Sequence, residues 1–267
     1  DGQYNGQGVK TFSDGRSYKG EFKDGLYNGQ GVETFSDGRS YEGEFKDGLY
    51  NGQGIQKIDA VTYYKGEFKN ELKHGKGIYY WADGSSYDGY YKNDLKHGQG
   101  IEIYSDGRRY EGQFENNNYH GQGVLEGFAI RYEGQFKNGL YHGQGIFDKT
   151  DTFHYDGQWK FNLPDGLGEM VWANGDRYEG DFLNGRFHGN GTRTMANGNI
   201  HIGAFKNGVP NGYGEITYKA GGGYKGEFKY NKPHGIGILY WANGDRYEGG
   251  FDKGLENGWL SIGVLCN

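Results

Sequence analysis

Six histidines, His74, His97, His120, His142, His188 and His234, stand immediately before the first glycine of a Gly-x-Gly pair. Imidazoles are common zinc ligands, but two on one zinc must each bring a nitrogen to ~2.0–2.1 Å. Equivalent positions in stacked hairpins lie two strands, or about 9.5 Å, apart. Asn28, Asn51, Asn211 and Asn257 fill the same slot, so a turn role is expected and no metal site. The Gly-x-Gly pairs would suit a phosphate loop only if a Lys-Ser/Thr and a helix followed, and neither does. Glu21, Glu44, Glu67 and Glu227 resemble catalytic carboxylates but recur as a ladder, whereas acid–base catalysis needs two groups in differently tuned surroundings. They read as a solvated face. No catalytic residue and no cofactor are expected.

Two further ladders could bind rather than react. Lysines recur at Lys23, Lys46, Lys69, Lys92, Lys137, Lys160, Lys206 and Lys229, either as solvated turn residues or as a rail for lipid phosphates. Aromatic rings recur at Tyr64, Phe68, Tyr87, Tyr91, Tyr110, Phe114, Tyr132, Phe136, Tyr155, Trp159, Tyr178 and Phe182. A single-layer sheet leaves one face uncovered, so these rings are expected both to pack and to contact a partner. Trp81, Trp172 and Trp241 add anchors of a residue type favoured at binding hot spots.

All of these residues hang on one repeat. A Tyr-x-Gly frame, with an aromatic two residues further on, begins at Tyr18, Tyr41, Tyr64, Tyr87, Tyr110, Tyr132, Tyr155, Tyr178, His201, Tyr224 and Tyr247, at intervals of 23 residues except for one of 22 between Tyr110 and Tyr132. Residues 1–17 are a partial unit, and the whole chain, 1–267, reads as one continuous array. Tyr, Gly and the second aromatic fall on one face of a strand because side chains alternate. Asp-Gly and Asn-Gly dipeptides such as Asp37-Gly38 and Asn174-Gly175 are strong hairpin signals. The expected fold is all-β: an elongated, twisted, single-layer antiparallel meander of about eleven hairpins, in which strand glycines let neighbouring rings lie flat on the backbone.

Composition agrees. Glycine supplies 54 of 267 residues, too many for a helical domain at roughly 0.8–1 kcal/mol per interior glycine. With 25 Tyr, 16 Phe and 5 Trp, burial must come from rings. A balance of 29 basic to 35 acidic residues argues against a nucleic-acid partner, which needs a basic stripe. Cys266 is alone, which excludes an intrachain disulfide and favours a reducing compartment.

The period, the Tyr-x-Gly-x-aromatic frame and the Gly-x-Gly resemble the MORN (membrane occupation and recognition nexus) repeat family over essentially the whole chain. The resemblance implies a non-enzymatic scaffold for protein–protein interaction in the cytoplasm, at a cytoskeletal, ciliary or membrane-associated structure, with a partner peptide or helix in a groove. It equally covers a phosphoinositide or membrane-binding module, or the regulatory part of a larger lipid kinase or SET-domain methyltransferase. A start inside a hairpin without an initiator Met is expected of a piece of a longer chain. His201 in place of Tyr, Ala60-Val61 and Phe128-Ala129 in place of the hairpin dipeptide, and Gly258-Trp259-Leu260 in place of Gly-x-Gly depart from the pattern. Leu260, Ile262 and Val264 alternate at the C-terminal edge, and this edge is expected to cap the sheet or to pair with a second copy as a homodimer.

Overall fold

Alternation within each Tyr-x-Gly-x-aromatic frame produces a seven- or eight-residue strand whose ring face is buried and whose other face is exposed, as in the pattern of Ser17–Lys23. A computed structural model describes residues 3–257. Its strands in chain order are β1 (Gly6–Thr11), β2 (Ser17–Lys23), β3 (Leu26–Thr34), β4 (Ser40–Lys46), β5 (Leu49–Lys57), β6 (Tyr63–Lys69), β7 (Leu72–Tyr80), β8 (Ser86–Lys92), β9 (Leu95–Ile103), β10 (Arg109–Glu115), β11 (Asn118–Gly127) and β12 (Ile130–Lys137). They continue with β13 (Leu140–Lys149), β14 (Phe153–Lys160), β15 (Leu163–Trp172), β16 (Arg177–Leu183), β17 (Arg186–Thr194), β18 (Ile200–Lys206), β19 (Val209–Thr217), β20 (Gly223–Lys229), β21 (Lys232–Tyr240), β22 (Arg246–Asp252) and β23 (Leu255–Asn257). No helix interrupts the described residues.

Contacts group the chain into two units. The first runs to Phe128 and takes in Phe136–Gly139, and the second holds Ala129–Gln135 and the residues from Leu140 on. Within the first, each strand from β1 to β11 pairs antiparallel with its chain neighbours. Within the second, β13 to β23 do the same. Each is therefore a one-layer meander, as the repeat requires. The edge expected at Leu260, Ile262 and Val264 lies outside the described residues.

Two kinds of connection alternate. After each short strand comes a two-residue turn, such as Asp24 (φ 49°) and Gly25 (φ 82°), the type I′ geometry that matches strand twist. At three turns whose second residue is not glycine, Asp94, Asn117 and Asn162, the side chain gains a bond that offsets the strained backbone. Asp94 (φ 67°) accepts the Lys73 N–H at 2.9 Å, and Asn117 (φ 68°) accepts that of Lys96 at 2.8 Å. The turn backbone also reaches the preceding hairpin, as in Gly48 N–H to the Tyr27 carbonyl at 2.9 Å.

The second connection corrects the sequence expectation. Asp37-Gly38 is not a two-residue turn but part of a longer loop, closed by Phe35 N–H to Arg39 carbonyl at 2.9 Å and by Gly38 N–H to Phe35 carbonyl at 3.0 Å. Only Gly38 has positive φ there, 88°, the type I turn plus left-handed residue of a three-residue hairpin loop. Asp37 accepts the Arg39 N–H at 3.1 Å and holds the turn. The short interval before Tyr132 is the exception, since Phe128 and Ala129 take φ of 50° and 62° in a two-residue link.

Glycine is in register across the strands. Gly20, Gly31, Gly43, Gly54, Gly66 and Gly77 oppose one another in turn, and Gly157, Gly168, Gly180, Gly191, Gly203 and Gly214 do so in the second unit. A Cβ on Gly31 would stand 2.5 Å from the Tyr18 hydroxyl and 2.6 Å from its ring carbon. The rings do lie on the glycines, as expected. Beside this ladder the two-residue hairpins carry a recurring β-bulge, as at Gly20/Glu21 opposite Gly29 and Gln30 and at Gly180/Asp181.

Candidate functional site

The rings expected to contact a partner form the core. Tyr64, Phe68, Tyr87, Tyr91, Tyr110, Phe114, Tyr132, Phe136, Tyr155, Trp159, Tyr178 and Phe182 are only 0–6% exposed, so their faces are not on offer to a ligand. They pack edge to face, with Tyr64 5.0 Å from Phe68 and 5.2 Å from Tyr91, and Tyr87 5.0 Å from Phe114. This is the favoured geometry for ring quadrupoles. A second layer covers them: Tyr27 stacks on Tyr18 at 3.6 Å and Tyr50 on Tyr41 at 3.7 Å. The hydroxyl of each tyrosine that opens a repeat frame donates to the carbonyl three residues on, as Tyr18 does to Glu21 and Tyr41 to Glu44, both at 2.9 Å. Burial pushes these phenols up, that of Tyr18 to about 12.

The acidic ladder is not merely a solvated face. Glu44 accepts the Gln53 N–H at 3.0 Å, Glu67 that of Lys76 at 3.1 Å, and Asp181 that of Asn190 at 2.9 Å. These N–H groups belong to the bulges, so the acid caps a donor that the ladder leaves unpaired. Gln113 and Gln158 do the same through their amide oxygens, at 3.2 and 2.9 Å. The histidines, for their part, lie in strands beside the bulge rather than in turns: His97 opposes Tyr90 and His188 opposes Asp181. Among the described residues no group of three His, Cys, Asp or Glu side chains could hold a metal.

Lys23, Lys46, Lys69, Lys92, Lys137, Lys160, Lys206 and Lys229 are all exposed, each closing the strand before a two-residue turn. On the ring face of the first unit the second layer also holds a polar cluster that the repeat pattern does not announce. Lys96 pairs with Glu102, and Tyr104 bonds both Glu102, at 3.1 Å, and Tyr119. The Lys96 ammonium lies 5.1 Å from the Trp81 ring and 5.0 Å from that of Tyr87, a cation–π arrangement. Buried Glu33 accepts the Tyr50 hydroxyl at 2.8 Å.

A broad, open concavity lies on the opposite face of the second unit. Its volume is about 840 Å³ and it spans β13 to β18, floored by Gly157, Gly168, Gly180, Gly191 and Gly203 and walled by Gln144, Asp156, Leu167, Glu169, Glu179 and Ile202. Gly168, Gly180, Gly191 and Gly203 are half-exposed here, whereas the ladder glycines from Gly20 to Gly112 in the first unit are buried. Leu167 is 63% and Ile202 56% exposed, and Tyr213 and Ile236 nearby are 61% and 57% exposed. The repeat positions of Leu167, Tyr213 and Ile236 are held by Gln30, Gln53, Gln99 and Gln122 in the first unit, and that of Ile202 by Lys19, Glu42 and Lys65. The apolar residues are thus departures from the repeat, visible in the sequence only once the exposed positions are known.

The MORN repeat family model matches residues 1–15, 18–38, 41–57, 64–86, 87–108, 110–127, 132–151, 155–177, 178–200, 201–223 and 224–246. No curated protein matches the sequence. Among solved structures, selenomethionine-substituted virginiamycin B lyase from Staphylococcus aureus is similar at 12% identity, over 92% of this chain and 84% of that one, with a TM-score of 0.16. Streptogramin B lyase is similar at 12% identity, over 83% of this chain and 90% of that one, also at 0.16. Scores this low carry no argument about fold or activity.

Proposed function

This chain belongs to the MORN repeat family, and we propose that it is a non-enzymatic scaffold that binds a protein partner on the exposed face of its second unit. The observation that carries this reading is the set Leu167, Ile202, Tyr213 and Ile236, each more than half exposed at repeat positions where the first unit carries polar side chains such as Gln30, Gln53, Glu42 and Lys65. Apolar side chains held out together on a hydrogen-bonded sheet are what an interface uses and solubility disfavours. The raised pKa values of Tyr41 and Tyr87 arise first from burial in the ring core, a structural cause rather than a tuned acid–base pair. The lone Cys266 supports a cytoplasmic setting, and we assign the scaffold to a cytoskeletal, ciliary or membrane-associated structure there.

A photo-crosslinking residue at position 167, with position 99 as its counterpart in the first unit, tests this in cytosol of the native cell. A discrete protein adduct is expected from 167 and not from 99. The exposed lysine edge favours a second reading, lipid binding. Co-sedimentation with phosphoinositide vesicles that is abolished by substituting Lys206 and Lys229, with no adduct at 167, would replace the scaffold reading with that one.

A further inference from the structure

We propose that the concavity over Gly168, Gly180, Gly191 and Gly203 holds an extended segment of the partner in which lysine or arginine alternates with apolar side chains. This rests on the protein-binding reading above and names the chemistry of the partner. The site begins with its apolar side chains. Leu167 and Ile202, 63% and 56% exposed, stand on the walls, and the backbone of the glycine row between them is half-exposed.

The dimensions suit a strand-like ligand. From β13 to β18 there are five strand steps, at ~4.8 Å each about 24 Å, or roughly seven residues of extended chain. The strands beneath are already paired on both sides, so the segment crosses them and is recognised by its side chains, not added as another strand.

Charge selects the occupant. Asp156 opposes Glu169, and Glu169 opposes Glu179, so three carboxylates stand side by side on adjacent strands. Like charges directly opposite one another are destabilising. A single guanidinium answers them: Arg177 pairs with Glu169 and, at 2.7 Å, with Glu179. Asp156 has no ion pair among the described residues. Three carboxylates against one guanidinium leave two negative charges in excess, beside exposed leucine and isoleucine. A cationic, partly apolar segment satisfies both features, whereas an anionic membrane or nucleic acid is repelled.

The test is fluorescence anisotropy on the whole chain at low salt, with the fluorescein-labelled peptide GSKLRLKSG, its charge-reversed form GSELELESG and its leucine-free form GSKSRSKSG. The first is expected to bind about tenfold more tightly than either of the others. The double variant Asp156→Asn, Glu179→Gln and the single variant Leu167→Gln should each lose about tenfold in affinity, while Lys69→Gln in the first unit changes nothing. Both acids and the leucine are exposed, and unchanged circular dichroism spectra will show that the variants are folded. Equal or tighter binding of the acidic peptide, or a double variant that binds GSKLRLKSG as well as the native chain, overturns the proposal. If that happens while a protein still cross-links at position 167, the scaffold reading stands and only the chemistry of its ligand is wrong. Binding to phosphatidylcholine–phosphatidylserine vesicles that displaces GSKLRLKSG overturns it in favour of a lipid ligand.

Discussion

The ring of Tyr64 lies so close over Gly77 that a methyl group on that glycine would stand 2.2 Å from the phenol oxygen and 2.4 Å from the carbon bearing it. The ring cannot lift away, because Tyr91 and Phe68 hold its edges at 5.2 and 5.0 Å. Gly77→Ala is therefore expected to destabilise the first unit by about 1–3 kcal/mol, the usual cost of overpacking. Hydrogen exchange should quicken first in β6, β7 and β8, since a repeat array is stabilised by nearest neighbours. Protection in those strands equal to that of the native chain would show that the ring has room to move.

Tyr41→Phe keeps the ring and deletes the hydroxyl that donates to the Glu44 carbonyl at 2.9 Å. The carbonyl is left beneath the ring layer without its donor. An expected loss of about 1–2 kcal/mol follows, measurable as a lowered urea midpoint at unchanged slope.

Glu67 works through one acceptor oxygen, on the Lys76 N–H at 3.1 Å. Glutamine occupies the same position at Gln113 and Gln158 with the same bond. Glu67→Gln should accordingly be near neutral, while Glu67→Ala, which leaves the bulge donor bare, should cost about 1 kcal/mol. Thermal melts of the two variants side by side decide the point; equal melting temperatures would return Glu67 to the solvated-face role.

His201 takes the place of tyrosine, 1% exposed, with neither ring nitrogen hydrogen-bonded. Burial, helped by Arg193 directly across the strand pair, lowers its pKa to about 4. The unfolded chain takes up this proton near 6.5, so between the two values it binds more protons than the folded one. Stability is therefore complete above pH 6.5 and is lost as the pH falls towards 4, by roughly 3 kcal/mol in all. His201→Tyr should restore the hydroxyl bond seen in the other repeats and flatten this dependence. Denaturant titrations of both proteins at about pH 7.5, above both values, and at about pH 5, between them, will read the difference.

Much of the fold was legible in the residues themselves. The 23-residue spacing from Tyr18 to Tyr41 to Tyr64 marks the hairpins, and the alternation in Tyr41-Glu-Gly-Glu-Phe45 marks which side chains turn inward. These are properties of a backbone with a two-residue side-chain period, and they need no knowledge of neighbours. The ring-on-glycine contact could be anticipated too, because a strand glycine is costly unless something covers it.

Other features were decided only by strands brought together in space. Glu67 reads as one more exposed acid until β6 and β7 pair out of register at Gly66 and strand the Lys76 N–H beside it. The rings from Tyr64 to Phe182 look like a surface on which to bind until residues such as Tyr119 and Tyr141 close over them, 3.7 Å from Tyr110 and 3.8 Å from Tyr132. Leu167 and Ile202 lie 35 residues apart in sequence and share a concavity only because four pairings carry one glycine row from β14 to β18. Alternation assigns each side chain to a face, but burial depends on what neighbouring strands lay over that face. The sequence alone therefore determined the strands and their inward residues, and the tertiary structure decided which of those residues remain within reach of a partner.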